Sequence, residues 1–290
     1  MKNIIYASFL VVSFVFASCG GAAATRDASS GWTLAGDGAV ADGSSVYQLD
    51  ERILLYPQEG AASPALSVSV HILDSEGSLR PLLSRALYDG KTCREYADAL
   101  LNAAKTKYLD SRSAAEPAAA ALVDDRYPQS MNWFYQEAGA GVVYGNFVVV
   151  ERSRTIYEGG AHESHEKECF VLDAGRAAQV RLDEMLKPDA PSALKKQIEE
   201  RLRAEFAGKA GQAVSASLVD IGFFENSVAV PEQNFFVSPA GLGFVWNPAA
   251  IAPYSAGIIE ITLPYADIQR LLSAEGEALF QSLRRFSSNG

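Results

Sequence analysis

The predicted fold is decided by the segment FVVVERSRTIYEGGAHESHEKECFVLD, residues 147–173, in which two β-rich runs flank a polar turn. The runs are Phe147–Val150 and Phe170–Leu172, and the turn is YEGGAH at 157–162. Adjacent glycines between two such runs are typical of a turn that needs positive φ or a close backbone approach. The segment therefore predicts two neighbouring strands, which a connection this short makes antiparallel.

The same turn carries the densest group of polar side chains in the sequence. Glycines let backbone amides approach a partner closely, and a tyrosine offers an amphipathic contact surface. The candidate binding residues are Tyr157, Glu158, Gly159, Gly160, His162 and His165. The sequence leaves an alternative open, in which the glycines only shape the turn and the histidines are packing or solvated residues.

Composition and charge limit the classes of function. Hydrophobic residues make up 48% of the 290-residue chain and charged residues 21%, which excludes wholesale disorder. The 25 Lys and Arg residues against 35 Asp and Glu residues give a net charge of −10. A net charge of this sign argues against nucleic acid or an anionic membrane surface as the main partner, and it favours a basic partner.

The N-terminus has the order of a bacterial export signal. A lysine precedes the apolar run Ile4–Phe16, and the small residues Ala17 and Ser18 then precede Cys19. This pattern resembles a lipoprotein lipobox with Cys19 as the lipidated residue, although the apolar run ends in phenylalanine where leucine is commonest. We predict a signal peptide at 1–19, a lipid anchor in the membrane and an extracytoplasmic location in the cell envelope. A plain cleaved signal is the alternative.

Two further cysteines, Cys93 and Cys169, would remain in a compartment that permits disulfides. A bond between them would tie a helix near the start of the fold to the strand after the glycine turn. Two reduced, buried thiols are the alternative, and both interpretations stay open because a disulfide demands a geometry that sequence does not supply.

The first half of the chain predicts a tether and a small module. Residues 20–45 are rich in Gly, Ala, Ser and Asp and predict a flexible tether. Polar and apolar residues alternate over Leu66–Ile72, which indicates a half-buried strand with His71 on its polar face. Apolar residues recur at helical spacing over Cys93–Tyr108. We therefore predict a small N-terminal α/β module at 46–128.

The remaining residues, 129–290, predict an α+β domain whose strands and helices do not alternate regularly. The predicted elements are strands at 131–137, 142–157 and 165–173, a helix from Pro191, a hairpin over 234–246, a strand over 257–263 and a helix from Tyr265. Gly139, Gly141 and Gly145 are assigned to a hairpin turn. The predicted fold class is α+β, an antiparallel sheet packed with helices on one side and preceded by the smaller α/β module.

Four segments in this order together resemble a known bacterial domain family. They are YEGGAH at 157–162, the segment 173–186, NFFVSPAGLGFVW at 234–246 and IAPYSAGIIEITLPYADI at 251–268. The family is the RsiV-like extracytoplasmic domain, found in RsiV-type anti-sigma factors that bind lysozyme and beside the catalytic domain of certain peptidoglycan deacetylases. The resemblance implies a module that binds or senses an envelope protein such as lysozyme, or peptidoglycan, and the lipobox places this module on a lipid anchor.

The sequence contains no recognisable catalytic motif, so we assign no catalytic residue, metal or cofactor. His162 and His165 are three residues apart rather than at the helical spacing of a zinc protease, and in an extended chain they would point to opposite faces. No nucleophile elbow and no phosphate-binding loop is present. A peptidoglycan-directed hydrolase or a metal-dependent enzyme is the alternative function.

Overall fold

The computed structural model describes residues 25–29, 46–55, 65–114 and 133–287. The predicted signal peptide with Cys19, and the predicted module boundary near residue 128, lie outside these ranges and stay predictions.

The elements are numbered in chain order. The strands are β1 Thr25–Ser29, β2 Val46–Leu55, β3 Leu66–Ser75, β4 Trp133–Tyr144, β5 Phe147–Tyr157, β6 Ser164–Asp173, β7 Ala178–Gln179, β8 Phe235–Ser238, β9 Gly241–Trp246 and β10 Ile259–Pro264. The α-helices are α1 Leu79–Leu87, α2 Cys93–Ala114, α3 Leu182–Met185, α4 Pro191–Phe206, α5 Tyr265–Ile268 and α6 Ala274–Ser287. Short 3-10 helices lie at Val219–Ile221, Tyr254–Ala256 and Gln269–Leu271.

The strands form two sheets. Strands β1 to β7 form a 7-stranded sheet in chain order, and β8 to β10 form a 3-stranded sheet with β9 at its centre. Neighbouring strands are antiparallel except β3 and β4, which are parallel, with Leu66 opposite Trp133. A parallel neighbour needs a crossover connection, and α1 and α2 lie in the chain between those two strands.

Two hydrophobic cores lie on opposite faces of β5 and β6. Val148 and Val150 belong to the first core, whereas Val149 between them packs against the second. Alternate residues of a strand point to opposite faces, so the sheet is covered on both sides here. Residues of α1 and α2 complete the first core, and residues of α3 to α6 and the small sheet complete the second. The predicted α+β class is confirmed, but helices cover both faces of the sheet rather than one.

Helix α2 begins at a reciprocal cap that joins Thr92 and Glu95. The backbone N–H of Glu95 donates to Thr92 Oγ1 over 3.2 Å, and the backbone N–H of Thr92 donates to Glu95 Oε2 over 2.9 Å. This capping box satisfies two backbone donors at the helix start. From there α2 buries Ala97, Leu101 and Tyr108 against the sheet, which confirms the helix predicted over Cys93–Tyr108.

The glycines assigned to a hairpin turn have two different roles. The turn between β4 and β5 lies at Gly145 and Asn146, and Gly145 has φ 62°. Gly139 and Gly141 lie inside β4, so their assignment to the turn was wrong. A Cβ on Gly141 would lie 3.1 Å from Leu73 Cδ1, and one on Gly139 would lie 3.4 Å from Leu73 Cγ. The buried Leu73 side chain occupies the space that these glycines leave.

The helix predicted from Tyr265 is broken at Leu272 and Ser273. The backbone N–H of Ser273 donates to the Met185 carbonyl over 2.9 Å, and Leu272 forms an isolated antiparallel bridge with Leu186. Ser273 Oγ then accepts the backbone N–H of Gly276 over 3.1 Å and starts α6. The break therefore exists because this backbone pairs with a distant segment of the chain.

The edge of β6 is covered by two asparagine side chains from the region of the small sheet. Asn234 Oδ1 accepts the backbone N–H of Cys169 over 2.8 Å, and Asn234 Nδ2 donates to the Lys167 carbonyl over 2.8 Å. The backbone N–H of Lys167 donates to Asn247 Oδ1 over 2.7 Å. An amide side chain thus satisfies strand-edge groups that would otherwise need another strand.

Residues 25–29 differ from the predicted tether, because they pair antiparallel with β2 from Thr25–Leu54 to Ser29–Asp50. The parallel pairing of β3 with β4 joins the predicted module 46–128 to the predicted domain 129–290 within one sheet. Within the described ranges, none of the helices combines the length and the apolar character needed to cross a membrane.

Candidate functional site

The YEGGAH turn, residues 157–162, connects β5 to β6 as predicted. Gly159 has φ 77°, and a Cβ built on it would lie 3.3 Å from Trp133 Nε1. Gly160 has open space around it, so the close approach applies to Gly159 alone. Only glycine adopts this backbone region without strain, which explains the residue type at Gly159.

Tyr157 stabilises the conformation of the turn through its hydroxyl and its ring. Its hydroxyl donates to the Gly160 carbonyl over 3.0 Å, and its ring stacks on Phe134 of β4 at 5.8 Å between centroids. The side chain is half-buried rather than projecting toward solvent. Tyr157 therefore supports the shape of the turn and presents little contact area of its own.

His162 is exposed and is held by Tyr254, at the start of a 3-10 helix. The two rings stack with centroids 4.5 Å apart and planes 23° apart. His162 Nδ1 lies 3.0 Å from the Glu163 carbonyl oxygen, and the Tyr254 hydroxyl donates to that same oxygen. A carbonyl only accepts, so Nδ1 carries the proton and Nε2 is the acceptor in the neutral ring. The YEGGAH turn thus contacts the small-sheet region through two aromatic rings.

His165 lies on β6 and does not join His162 in one site. Its Nδ1 lies 3.2 Å from Thr155 Oγ1, and its Nε2 lies 3.4 Å from Glu163 Oε1. Across the part of the chain that the structure describes, no three His, Cys, Asp or Glu side chains are grouped closely enough to hold a metal ion. The prediction that the protein uses no metal stays a prediction.

Of the four carboxylates around the turn, Glu163 lies near His165, and the other three form ion pairs with lysine or arginine. The pairs are Lys107 with Glu158, Arg154 with Glu166 at 2.8 Å, and Arg152 with Glu168 at 2.5 Å. Glu158 also accepts the Tyr135 hydroxyl. Burial acts to raise the pKa of Glu158, but the hydrogen bonds from Lys107 and Tyr135 outweigh it and the pKa is lowered. Glu158 is therefore a paired carboxylate and not a free acidic group.

A groove of about 290 Å³ lies next to the turn, between α2 and strands β4 and β5. We call it the α2 groove, and its lining residues are Leu100, Ala103, Ala104, Lys107, Tyr135, Gln136, Glu137, Arg154, Ile156 and Glu158. Glu158 belongs both to this lining and to the YEGGAH turn, so the two features are adjacent.

Glu137 lies at the buried side of the α2 groove and is 1% exposed. Its Oε2 accepts Arg154 Nε over 3.0 Å and the Tyr96 hydroxyl over 3.0 Å. Its Oε1 is buried and has no hydrogen-bond partner within the described residues. A buried carboxylate oxygen left without a donor is costly.

Tyr96, which is bonded to Glu137, and Tyr135, which is bonded to Glu158, act as neutral hydrogen-bond donors. Burial, followed by the charge of Glu137, raises the pKa of Tyr96 to about 12. Burial and the hydrogen bond to Glu158 raise the pKa of Tyr135 as well. Both hydroxyls therefore keep their protons at neutral pH and orient the carboxylates.

Sequence reasoning missed Glu137, Arg154 and the α2 groove. The signal for Glu137 is its position in β4, where Trp133, Tyr135 and Val143 share its face and pack with the first core. A carboxylate on the apolar face of a period-two pattern indicates a buried charge that needs a partner. No sequence signal identifies the partner, because Arg154 and Tyr96 reach Glu137 from two other elements.

The two cysteines are separate, buried thiols. Cys93 packs in the first core. Cys169 alternates with Phe170, which packs against that core, so it points to the opposite face of β6. The sheet separates the two sulfur atoms, and the structure has the reduced arrangement that the sequence left open. Burial raises the pKa of each thiol to about 12, so neither is an activated nucleophile.

Comparison with known proteins places a domain family on part of this chain. Residues 183–266 match the model of DUF3298, described as a protein of unknown function. No curated protein matches the chain. The structure is similar to that of a DUF3298-family protein from Bacteroides fragilis, at 18% identity and TM-score 0.63, covering 83% of this chain and 97% of that one. A DUF3298-family protein from Pseudomonas aeruginosa aligns at 18% identity and TM-score 0.55, covering 81% of this chain and 96% of that one. The chain thus carries a DUF3298 match over residues 183–266 within a fold similar to that of solved DUF3298 proteins.

Proposed function

We propose that this protein is a lipid-anchored binding module of the bacterial cell envelope that recognises a protein partner through the YEGGAH turn. The observation that carries the proposal is the combination of exposure and fixed shape in the turn. Gly159–His162 are all exposed, and Tyr157 and Tyr254 hold them from either side.

A turn of fixed shape is suited to recognition because its conformation is set before a partner arrives. Ordering a loop on binding opposes association, and a loop already ordered avoids that cost. Three contacts fix the conformation of this turn. The Tyr157 hydroxyl donates to the Gly160 carbonyl, the His162 ring stacks on Tyr254, and the Tyr254 hydroxyl donates to the Glu163 carbonyl. The exposed ring of His162 and the exposed backbone of Gly160 are the contact groups.

The partner favoured by charge is a basic protein. The net charge of −10 attracts such a protein over a distance and increases the rate of association. The carboxylates Glu158, Glu166 and Glu168 add less than the sequence suggests, because each already forms an ion pair. The net charge therefore increases the rate of association with a basic partner, and the affinity has to come from contacts with the turn.

The RsiV-like resemblance suggests a lysozyme-like enzyme as that basic partner. The lipobox at Cys19 would hold the domain outside the membrane, where such an enzyme is met. The only membrane contact in this proposal is the N-terminal lipid, and nucleic acid is not a partner.

A peptidoglycan-directed hydrolase or a metal-dependent enzyme is the competing function. Glu158 is the groove carboxylate nearest the turn, and its lowered pKa makes it a poor proton donor at neutral pH. Lys107 Nζ and the Tyr135 hydroxyl both donate to Glu158 Oε1, so that oxygen is already occupied and is a poor base. A binding role therefore agrees better with the chemistry of these residues.

Binding of the full-length protein in detergent to lysozyme, measured by biolayer interferometry, tests the proposal. We expect His162→Ala to weaken binding by about tenfold or more, because an exposed aromatic anchor is removed. His71→Ala is the matched control, since His71 is also exposed and lies on β3, bonded to Asp50. Sedimentation with purified peptidoglycan runs in parallel.

Three outcomes would contradict the proposal. They are no binding of the wild type to lysozyme, equal losses in the His162 and His71 variants, and release of soluble fragments from peptidoglycan by the purified protein. The anchor is tested separately by mass spectrometry of the wild type and Cys19→Ala, and a wild-type chain without lipid would contradict that part.

A further inference from the structure

Strand β7 is the last strand of the large sheet, and a cleft of about 280 Å³ lies beside it. We call it the β7 cleft. Residues 179–183 line one wall, and Glu232, Gln233 and Phe235 line the other. The β7 cleft shares no lining residue with the α2 groove or with the YEGGAH turn.

The first wall presents backbone groups that no neighbouring strand pairs. The backbone N–H of Val180 donates to the Val171 carbonyl of β6 over 2.7 Å. Alternate residues of an antiparallel strand bond to the same neighbour, so Gln179 and Arg181 turn their N–H and C=O groups away from β6. These groups form no backbone hydrogen bond within the described residues. An edge of this kind is a template for an added extended chain.

The second wall is held in place by Asn234, which lies between Gln233 and Phe235. Its side-chain amide bonds to the backbone of Cys169 and Lys167, and its backbone N–H donates to the Pro231 carbonyl over 3.0 Å. Both walls are therefore ordered before a ligand arrives, which reduces the cost of association.

The lining of the β7 cleft has a net negative charge. Arg181 Nε donates to Asp183 Oδ1 over 2.9 Å and Arg181 Nη2 donates to Oδ2 over 2.6 Å, so these two charges offset each other. Glu232 is exposed and forms no ion pair within the described residues, which leaves one negative charge. The nearby Arg176 is already bound by two carboxylates and does not offset it. A basic group on the ligand is therefore favoured.

The lining also includes apolar side chains that suit the stem of a lysine. Val180, Leu182 and Phe235 belong to the second core and line the β7 cleft. The methylene stem of a basic side chain can lie on such a surface while its charged end reaches a carboxylate. The volume corresponds to roughly nine water molecules at about 30 Å³ each, which suits a short segment of chain.

We infer that the β7 cleft binds an extended peptide segment, which pairs with the open edge of β7 and carries a basic side chain that reaches Glu232. This inference does not use the YEGGAH turn, so it stands or fails independently of the proposed lysozyme binding.

Titration of the full-length protein with the capped tripeptide acetyl-Val-Lys-Val-amide, followed by NMR chemical shifts, tests the inference. We expect shifts in the residues that line the β7 cleft. The same peptide N-methylated at each of its three residues keeps the side chains and loses those backbone donors. It should bind about tenfold more weakly, because pairing with the edge is lost. A peptide with norleucine for lysine keeps the stem and lacks the charge, and it should bind about threefold more weakly.

Exchange of one carboxylate locates the charged contact. In Glu232→Gln, the lysine and norleucine peptides should bind equally well, because the negative charge of the lining is gone. Glu275→Gln is the control, since Glu275 is an exposed carboxylate on α6, and it should keep the threefold preference for lysine.

Two variants at one position separate the backbone contact from the side chain. Gln179→Pro removes an N–H that points away from β6, a position where an edge strand tolerates proline, and should weaken binding by about fivefold. Gln179→Ala keeps that N–H, loses the same side chain and should bind as the wild type does. Thermal unfolding of each variant confirms that it is folded, and the N-methylated peptide tests the same contact on the wild type.

Four outcomes would overturn the inference. They are no binding of the lysine peptide to the wild type, equally tight binding of the N-methylated peptide, an unchanged lysine preference in Glu232→Gln, and shifts confined to residues outside the β7 cleft. Equal binding by folded Gln179→Pro and Gln179→Ala would contradict the pairing with β7. Loss of binding on N-methylation, together with loss of the lysine preference in Glu232→Gln alone, supports it.

Discussion

Lys167 Nζ lies 2.8 Å from Glu260 Oε2, and this ion pair joins β6 of the large sheet to β10 of the small sheet. The same ammonium group lies 2.8 Å from Glu151 Oε2 on β5. Burial lowers the pKa of Lys167, but hydrogen bonds to the two carboxylates outweigh burial and the pKa is raised. The group therefore stays charged and holds two carboxylates from different sheets together.

Replacing Lys167 should destabilise the fold. In Lys167→Met, Glu151 and Glu260 would face each other without a cation, and we expect the free energy of unfolding to fall by about 2 kcal/mol. Urea unfolding measures the change. Lys196→Met is the control, because Lys196 is 76% exposed and its pair with Glu200 spans 3.8 Å, so the loss there should stay below about 0.5 kcal/mol. Equal losses would contradict the role of Lys167.

Gly276 in α6 should not tolerate alanine although alanine favours helices. A Cβ there would lie 2.3 Å from the Met185 carbonyl oxygen, a backbone atom that cannot rotate away. Overpacking exceeds the helix propensity gain of about 1 kcal/mol, so we expect Gly276→Ala to lower the free energy of unfolding by about 1–2 kcal/mol. Gly208→Ala is the control, because Gly208 has nothing within 4 Å of the added atom. Similar unfolding curves for the two variants would show that the contact is not tight.

Cys93 and Cys169 should both react as free thiols once the protein unfolds. Alkylation in denaturant without reductant, followed by peptide mass spectrometry, should label each of them. The native protein should resist alkylation at pH 8, because burial raises the pKa of each thiol to about 12 and leaves little thiolate. Peptides linked by a Cys93–Cys169 bond would contradict the arrangement of the two cysteines on opposite faces of the sheet.

Glu158 should contribute stability that depends on pH in a defined direction. Its folded pKa lies below the ordinary value of 4.5, so its contribution is present above that pH and is lost as the pH falls through the folded pKa. We expect Glu158→Gln to be less stable than the wild type at neutral pH, with a difference that shrinks below pH 4.5. Unfolding curves at several pH values measure this. A difference that grows in acid would mean that the sign is wrong.

The elements predicted best from the sequence are those whose pattern depends only on neighbouring residues. The alternation over Leu66–Ile72 predicted β3, the helical spacing over Cys93–Tyr108 predicted α2, and the glycine pair predicted the β5–β6 turn. The first two patterns record burial on one face of a single element, and the glycine pair indicates a local turn, so no distant contact is needed to interpret them.

What the sequence did not predict depends on contacts between distant residues. Lys107 meets Glu158 across 51 positions, and Asn234 covers the edge of β6 from 65 positions away. The assignment of Gly139 and Gly141 to a turn was wrong because Leu73, from another strand, explains them. Local composition favours a turn at such glycines, and tertiary packing decides otherwise.

The central claim, that the YEGGAH turn is the recognition surface, is tested most directly by hydrogen exchange of the full-length protein with and without lysozyme. We predict slower exchange of the backbone amides of Gly159–His162 in the presence of lysozyme, and loss of that protection in His162→Ala. Binding of lysozyme with unchanged exchange in the turn, and protection elsewhere, would contradict the account.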